Sequence, residues 1–361
     1  QKKLQKYFKL ITYNIYKLIY GDIKGKIRNV DNDDIILKKH SIDNIFYDVY
    51  SCKDCSLYTD RIHDTAIIKE KKIVDGPSFQ LRNNLNVDCL ENFVLENGTP
   101  RKRKHINGNV LSLLTGGGGN TNYWHWLFDV LPRIKLFMTS SFSKETIDFY
   151  LLPSKCTDFQ KETLKLLNID KNKMLPSEKF RHIFAKKIFI TSHPYNLLNN
   201  PELDSLNIPL WISDYLRSSF LKISLMNSKI KKLPKKIYIN RKDGTSFRYI
   251  TNEIEVENYL QQKGFKSLTL SDLSFSDQVN LFHNAEKIIG LHGAGFANII
   301  FCKPNTKIIE IRNQTAGDLF KNLAIKNNLN YDDLTLKTKK YDFNNQAGDI
   351  EVDLNILKNL F

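Results

Sequence analysis

His125 and Asp129 lie four residues apart in the run Gly116-Gly-Gly-Gly-Asn-Thr-Asn-Tyr-Trp-His-Trp-Leu-Phe-Asp-Val-Leu-Pro-Arg133. On a helix, His125, Asp129 and Arg133 share one face, while Trp126, Leu127, Val130, Leu131 and Ile134 fill the other. A carboxylate one turn from an imidazole orients the ring and raises its basicity, which suits a general base. The competing reading is a capped helix with a solvated polar face. The glycine run upstream tips the balance toward chemistry. Pro132 kinks the helix or starts a new one, so the placement of Arg133 depends on it.

A second stretch, Glu286-Lys-Ile-Ile-Gly-Leu-His-Gly-Ala-Gly-Phe-Ala-Asn298, reads as an apolar strand entering His292-Gly293-Ala294-Gly295, with a helix following at once. Glycines let a phosphate approach the backbone, and a helix start offers free N–H groups and a positive dipole end. The pattern is not GxGxxG, so the dinucleotide fingerprint is absent. Two neighbouring strand ends carry matching chemistry. Lys236–Asn240 runs into Arg241, with Arg248 seven residues on, and arginine forks suit diphosphate oxygens. The strand at 307–311 carries Glu310, and a carboxylate near a strand end can hold ribose hydroxyls.

Other candidates are weaker. Asp31-Asn-Asp33 matches a DxD metal pattern but falls in a polar stretch read as a loop. Cys52-Lys-Asp-Cys55 is a CxxC without the second pair that a zinc site needs. The other cysteines are Cys89, Cys156 and Cys302, and an odd count without framework spacing points to a reducing compartment.

The elements that must position these residues alternate. Residues 1–28 place Leu4, Phe8, Ile11, Ile15 and Ile19 at helical spacing among lysines, a basic amphipathic helix that could dock on a membrane or on the protein itself. Residues 29–105 read as short strands and turns, with a hairpin over 64–76. Strands are expected at 111–114, 146–152 and 187–191, and helices from 120, at 158–167 and around 211–225. A lysine-rich stretch ending at Pro234 marks the domain boundary, giving domains of 29–230 and 231–361. Beyond it, strands at 236–240, 265–270, 287–291 and 307–311 alternate with helices at 252–263, 274–285, 295–301 and 316–326, which predicts a parallel, doubly wound sheet. Capping boxes are expected at Asn252 and Ser274, and a final helix over 350–361.

The bulk properties bound the function. With 41% hydrophobic and 26% charged residues the chain is globular, not disordered. Lys and Arg total 54 against 39 Asp and Glu, and the net charge of +15 favours acidic partners. The longest apolar run, 288–301, is interrupted at His292, Gly293 and Gly295 and falls short of the roughly 18 residues of a span. No secretory leader is visible, although a chain starting at Gln1 could have lost one or an anchor; the expected location is cytoplasmic, with peripheral contact at the inner membrane face. A basic nucleic-acid-binding protein would gather its lysines with aromatics on one face, whereas here they are spread throughout. A non-catalytic scaffold is the other alternative, and the joint presence of Asp129, Arg241, His292 and Glu310 argues against it.

Taken together, these motifs resemble glycosyltransferase family 61. The match comprises Asn122-Tyr-Trp-His-Trp-Leu-Phe-Asp-Val-Leu-Pro-Arg133, then Tyr238-Ile-Asn-Arg241 with Arg248 and Asn252-Glu253, Gly264-Phe265, Gln278, and His292-Gly-Ala-Gly-Phe-Ala-Asn298 with Ile309-Glu310-Ile311. It runs in order from about residue 110 to the C-terminus, and Asn240 stands where a serine is expected. The resemblance implies an α/β fold of GT-B type, two Rossmann-like domains facing a cleft. It also implies inverting sugar transfer from a nucleotide sugar, a UDP-sugar foremost, with no cofactor and no obligatory metal. A glycan or lipid-linked glycan of a surface polysaccharide or capsule would be the acceptor, and nucleic acid would not be a partner. On that basis Asp129 or His125 is the base. Arg241, Arg248, His292, Gly293, Ala294, Gly295, Asn298 and Glu310 bind the donor, and Asn120, Asn122 and Arg133 lie on the acceptor side.

Overall fold

The computed structural model describes residues 2–59, 65–78, 80–82, 85–92, 94, 101–114, 121–153, 156–195, 203, 206–244, 248–338, 348–358 and 360. The chain forms two compact units, Gln1–Asp204 and Ser205–Phe361.

The first unit opens with helix α1 (Lys2–Tyr20), the amphipathic helix expected there. Among the described residues, nine strands form its main sheet: β1 (Lys26–Ile27), β2 (Ile35–Ile42), β3 (Ile45–Thr59), β4 (Thr65–Lys69), β5 (Lys72–Val74), β8 (Lys104–Ser112), β9 (Phe149–Leu152), β10 (Met174–Pro176) and β11 (His182–Thr191). The remaining strands, β6 (Gln80–Arg82) and β7 (Leu85–Val87), pair with each other. The sheet order is β1-β5-β4-β3-β11-β8-β9-β10, with β2 on β3. From β11 to β10 the strands are parallel, with α2 (Pro132–Thr139) and α3 (Asp158–Leu166) in the connections. From β3 to β5 they are antiparallel, so this sheet is mixed and departs from a purely parallel Rossmann-like layer. The expected hairpin is β4–β5, turned by Glu70 and Lys71, both at positive φ as a two-residue primed turn requires. Cys52 and Cys55 sit inside β3 as buried free thiols, in a core with Leu57, Ile67, Val110 and Ile188.

In the second unit the alternation expected from the sequence holds. Strands β12 (Lys236–Ile239), β13 (Lys266–Leu268), β14 (Lys287–Leu291), β15 (Lys307–Asn313) and β16 (Asn330–Leu336) form one parallel sheet in the order β13-β12-β14-β15-β16. Helices α4 (Leu210–Asn227), α5 (Glu253–Gln262), α6 (Phe275–Asn284), α7 (Leu319–Lys326) and α8 (Leu354–Lys358) accompany it. Ser274 caps α6 by accepting the Asp277 N–H. Asn252 does not cap α5; its side-chain amide pairs with the backbone of Val352.

Three features differ from expectation. The edge strand β16 has the polar sequence NYDDLTL, without the apolar run that revealed its neighbours; its Asp333 pairs with Arg312 at 3.1 Å. The helix after the glycine loop is a 3-10 helix, Ala294–Phe301. The division between units falls before α4 rather than at 231. Trp211, Ile212, Leu216 and Phe220 of α4 are buried, the Phe220 ring meets Phe275 of α6 edge-on, and Arg217 donates to the Cys302 carbonyl at 3.0 Å. Its apolar face therefore completes the second unit's core. Among the described residues, no helix is long and apolar enough to cross a membrane.

Candidate functional site

Beginning with β12, the second unit's strands lie in the order second, first, third, fourth, fifth. In such doubly wound sheets the connections diverge between the first and third strands, opening a ligand crevice at their carboxyl ends. Here those strands are β12 and β14, and they lead directly into Arg241 and His292. Arg241 Nη1 donates to the His292 carbonyl at 2.7 Å. Gly293 permits this: a Cβ at that position would lie 2.5 Å from Arg241 Nη1. At Gly295 a Cβ would come within 2.7 Å of Leu270 Cδ1, so the loop needs both glycines to lie this close. Ala294 then starts the 3-10 helix, whose first N–H groups have no partner within the helix itself.

Arg248 completes the basic group. Its Nε and Nη1 are buried without a hydrogen-bond partner among the described residues. Burial, then the neighbouring Arg241 charge, pushes its pKa down to about 10, against the pull of Glu310. Burial likewise lowers the pKa of Arg241. Two mutually repelling guanidiniums, one of them Arg248 with unsatisfied buried N–H groups, are costly unless an anion joins them. A glycine loop and a helix start beside them fit that anion to a phosphate or diphosphate.

Glu310 and Asn298 take different places from those expected. Glu310 is fully buried; one carboxylate oxygen meets His292 Nδ1 and the other accepts the Tyr331 hydroxyl. Burial, with both oxygens already engaged, turns Glu310 away from a ribose, and it instead fixes the His292 ring, which meets Phe320 edge-on. Asn298 is also fully buried, donating to Gln278 and to the Gly295 carbonyl. Gln278 in turn holds the Leu270 and Leu273 carbonyls. Both residues brace the loop from behind.

In the first unit, Asn122 caps a short helical turn by accepting the Trp124 and His125 N–H groups. The expected regular helix is interrupted by a π-helical turn, Trp126–Val130, and α2 begins at Pro132. Proline has no N–H and its ring crowds the carbonyl four residues back. Widening the turn before it, with Leu131 N–H reaching the Trp126 carbonyl, accommodates both constraints. Asn120 and the glycines at 116–119 lie outside the described residues.

The polar face is not solvated. Asp129 is 2% exposed, and its Oδ2 accepts from His125 Nδ1 at 2.7 Å and lies 3.7 Å from His193 Nε2. The Tyr195 N–H donates to His193 Nδ1, which leaves the proton on the Nε2 facing Asp129. Burial works against the Asp129 charge, but His125 and then His193 outweigh it and hold its pKa well below the usual carboxylate range. Burial also works against a charged His125 ring, and Asp129 overcomes it, leaving the His125 pKa raised. For His193 burial wins and its pKa is lowered. Asp129 Oδ1 has no hydrogen-bond partner among the described residues. The His125 side chain is 35% exposed, so it is the member of the pair that solvent reaches.

Arg133 does not face an acceptor. It is 1% exposed, its Nε donates to the Asp129 carbonyl, and Nη1 donates to the Thr191 carbonyl at the end of β11. It ties the π turn to that strand. His193 was not anticipated, yet it follows β11 directly, so the strand-end rule that picks out Arg241 and His292 picks it out too. Asp31 accepts the Arg28 N–H locally, and neither it nor Asp33 joins the groups above.

The family model for Glycosyltransferase 61 matches residues 123–309, just over half of the chain. The match includes His125, Asp129, His193, Arg241, Arg248 and the glycine loop. No curated protein matches the chain significantly. The chain belongs to glycosyltransferase family 61.

Proposed function

We propose that the chain transfers a sugar from a nucleotide-sugar donor, a UDP-sugar foremost, to a hydroxyl of a glycan or lipid-linked glycan, with inversion and without a metal. Surface polysaccharide assembly is the process this chemistry serves in the proposal, and the GT-B organisation belongs to the same reading. The observation that carries it is the Arg241–Arg248 pair beside a glycine loop at the switch point, with the buried Nε and Nη1 of Arg248 unsatisfied among the described residues.

In this reading, Asp129 holds the His125 Nδ1–H and leaves Nε2 as an acceptor. His125 Nε2 takes the acceptor's hydroxyl proton as that oxygen attacks the anomeric carbon. The bond from the anomeric carbon to the diphosphate oxygen breaks on the opposite face, which inverts the centre. Arg241, Arg248 and the N–H groups of the 293–295 loop receive the charge on the departing nucleoside diphosphate. Asp129 stabilises the imidazolium formed, as a buried carboxylate does for a histidine base.

Thermal unfolding with UDP, GDP, CMP and a short oligonucleotide tests the reading. A ligand at 100 times its Kd stabilises the folded state by about 2.7 kcal/mol. A nucleoside diphosphate is expected to raise Tm and the oligonucleotide to leave it unchanged. Stabilisation by the oligonucleotide alone would overturn the proposal.

A further inference from the structure

The hydrophobic face of α1 points away from the protein. Leu4, Phe8, Ile11, Ile15 and Leu18 recur at three- and four-residue steps, and each is between 42% and 85% exposed. The helix is held to its unit by a different side. Tyr16 is buried with Tyr58, Ala66, Ile73 and Cys89, its ring stacks on Tyr58, and the Tyr20 hydroxyl donates to the Arg101 carbonyl. The docking contacts therefore use tyrosines, and the strictly apolar stripe has no partner among the described residues.

We infer that this stripe seats α1 on an anionic lipid surface. The sequence of the helix supplies the charge complement: lysines stand at positions 2, 3, 6, 9 and 17, and no Asp or Glu occurs within it. Lys24 follows closely, whereas Lys17 pairs with Asp22, Lys26 with Asp88 and Arg28 with Asp75, so the charge rests on the lysines nearer the start of the helix. A helix with an apolar stripe and a basic remainder lies in the membrane interface, gaining from apolar burial and from attraction to anionic headgroups together. It does not meet the requirements of a spanning helix. Its 19 residues would lay a stripe about 28 Å long along the surface. The tyrosine dock sets the unit on the other side of the helix, leaving the stripe free to enter the interface.

Co-sedimentation of the whole chain with vesicles of phosphatidylcholine, alone or mixed with phosphatidylglycerol, tests this. Binding is expected only with the anionic vesicles and is expected to fall as salt screens the headgroups. The double variant Phe8→Glu, Leu18→Glu should bind them roughly tenfold or more weakly, because two apolar side chains no longer enter the interface. Both positions are exposed, so Tm should hold. A Phe8→Trp chain gives an independent readout: its added fluorescence should shift to the blue on anionic vesicles. Equal binding to neutral vesicles, binding unaffected by the double variant, or no binding at all would overturn the inference. So would a lipid-free dimer that the same substitutions dissociate, since the stripe would then be covered by a second copy.

Discussion

The Arg241 guanidinium lies against the His292 carbonyl at 2.7 Å, and this contact joins the ends of the two strands that flank the switch point. It exists because residue 293 has no side chain. The Gly293 backbone is extended, so conformation does not demand glycine there; space does. Gly293→Ala should therefore fold normally while displacing the flexible end of Arg241. Calorimetry should show nucleoside diphosphate affinity falling with Tm little changed. Unaltered affinity would separate Arg241 from the anion site.

Arg248 makes a sharper case. Its buried, unpartnered Nε and Nη1 and its repulsion by Arg241 are destabilising in the ligand-free chain. Arg248→Ala should hold or raise the ligand-free Tm, yet weaken nucleoside diphosphate binding by about 1.5–3 kcal/mol, a charge-assisted hydrogen bond's worth. Arg241→Ala should weaken binding comparably. Unchanged affinity in both variants would refute the diphosphate assignment.

Much of the second unit was legible because β12, β14 and β15 are apolar runs separated by helices, as parallel strands covered on both faces must be. The same rule explains the misplacement of Glu310: in a strand buried on both faces, a carboxylate flanked by Ile309 and Ile311 is itself buried and needs internal partners. Tyr331 supplies one from β16, whose polar sequence hid both the strand and the partner. In the first unit the His125–Asp129 spacing could be read directly, whereas the place of His193 beside Asp129 depends on tertiary packing that helical periodicity does not encode, and the π turn follows from Pro132.

Turnover should survive EDTA. In the proposed mechanism Arg241, Arg248 and the loop N–H groups hold the leaving diphosphate, so no step depends on a divalent cation. Loss of turnover in EDTA with rescue by manganese would assign that charge to a metal instead.

Arg133 should act on stability rather than on acceptor binding. Arg133→Ala would leave the Asp129 and Thr191 carbonyls without its bonds and remove a cation from beside the buried Asp129. Each unsatisfied buried group costs about 1–3 kcal/mol, so Tm should drop by several degrees. An unchanged Tm with a raised acceptor KM would instead place the side chain in the acceptor site.

The catalytic base is testable through pH. His125 must be neutral to take a proton, and Asp129 raises its pKa above the ordinary value near 6.5. The acid limb of kcat/KM should therefore have its midpoint above that value, with rates rising as His125 deprotonates. Stability runs the other way: the His125–Asp129 contribution is fully present below the unfolded histidine pKa and is lost as pH rises through the raised folded one. Asp129→Asn removes the opposing charge and leaves burial to dominate, so the acid limb should move downward while turnover falls through loss of the orienting bond. His125→Ala should cost roughly 10²–10⁴-fold in turnover, leave nucleoside diphosphate affinity intact, and abolish that limb altogether. The exposures make the two roles unequal, because a carboxylate 2% exposed cannot meet an acceptor hydroxyl and an imidazole 35% exposed can. If Asp129→Asn proved the more damaging change and the His125→Ala chain kept its acid limb, Asp129 would be the base, and the turn holding it would have to open during catalysis.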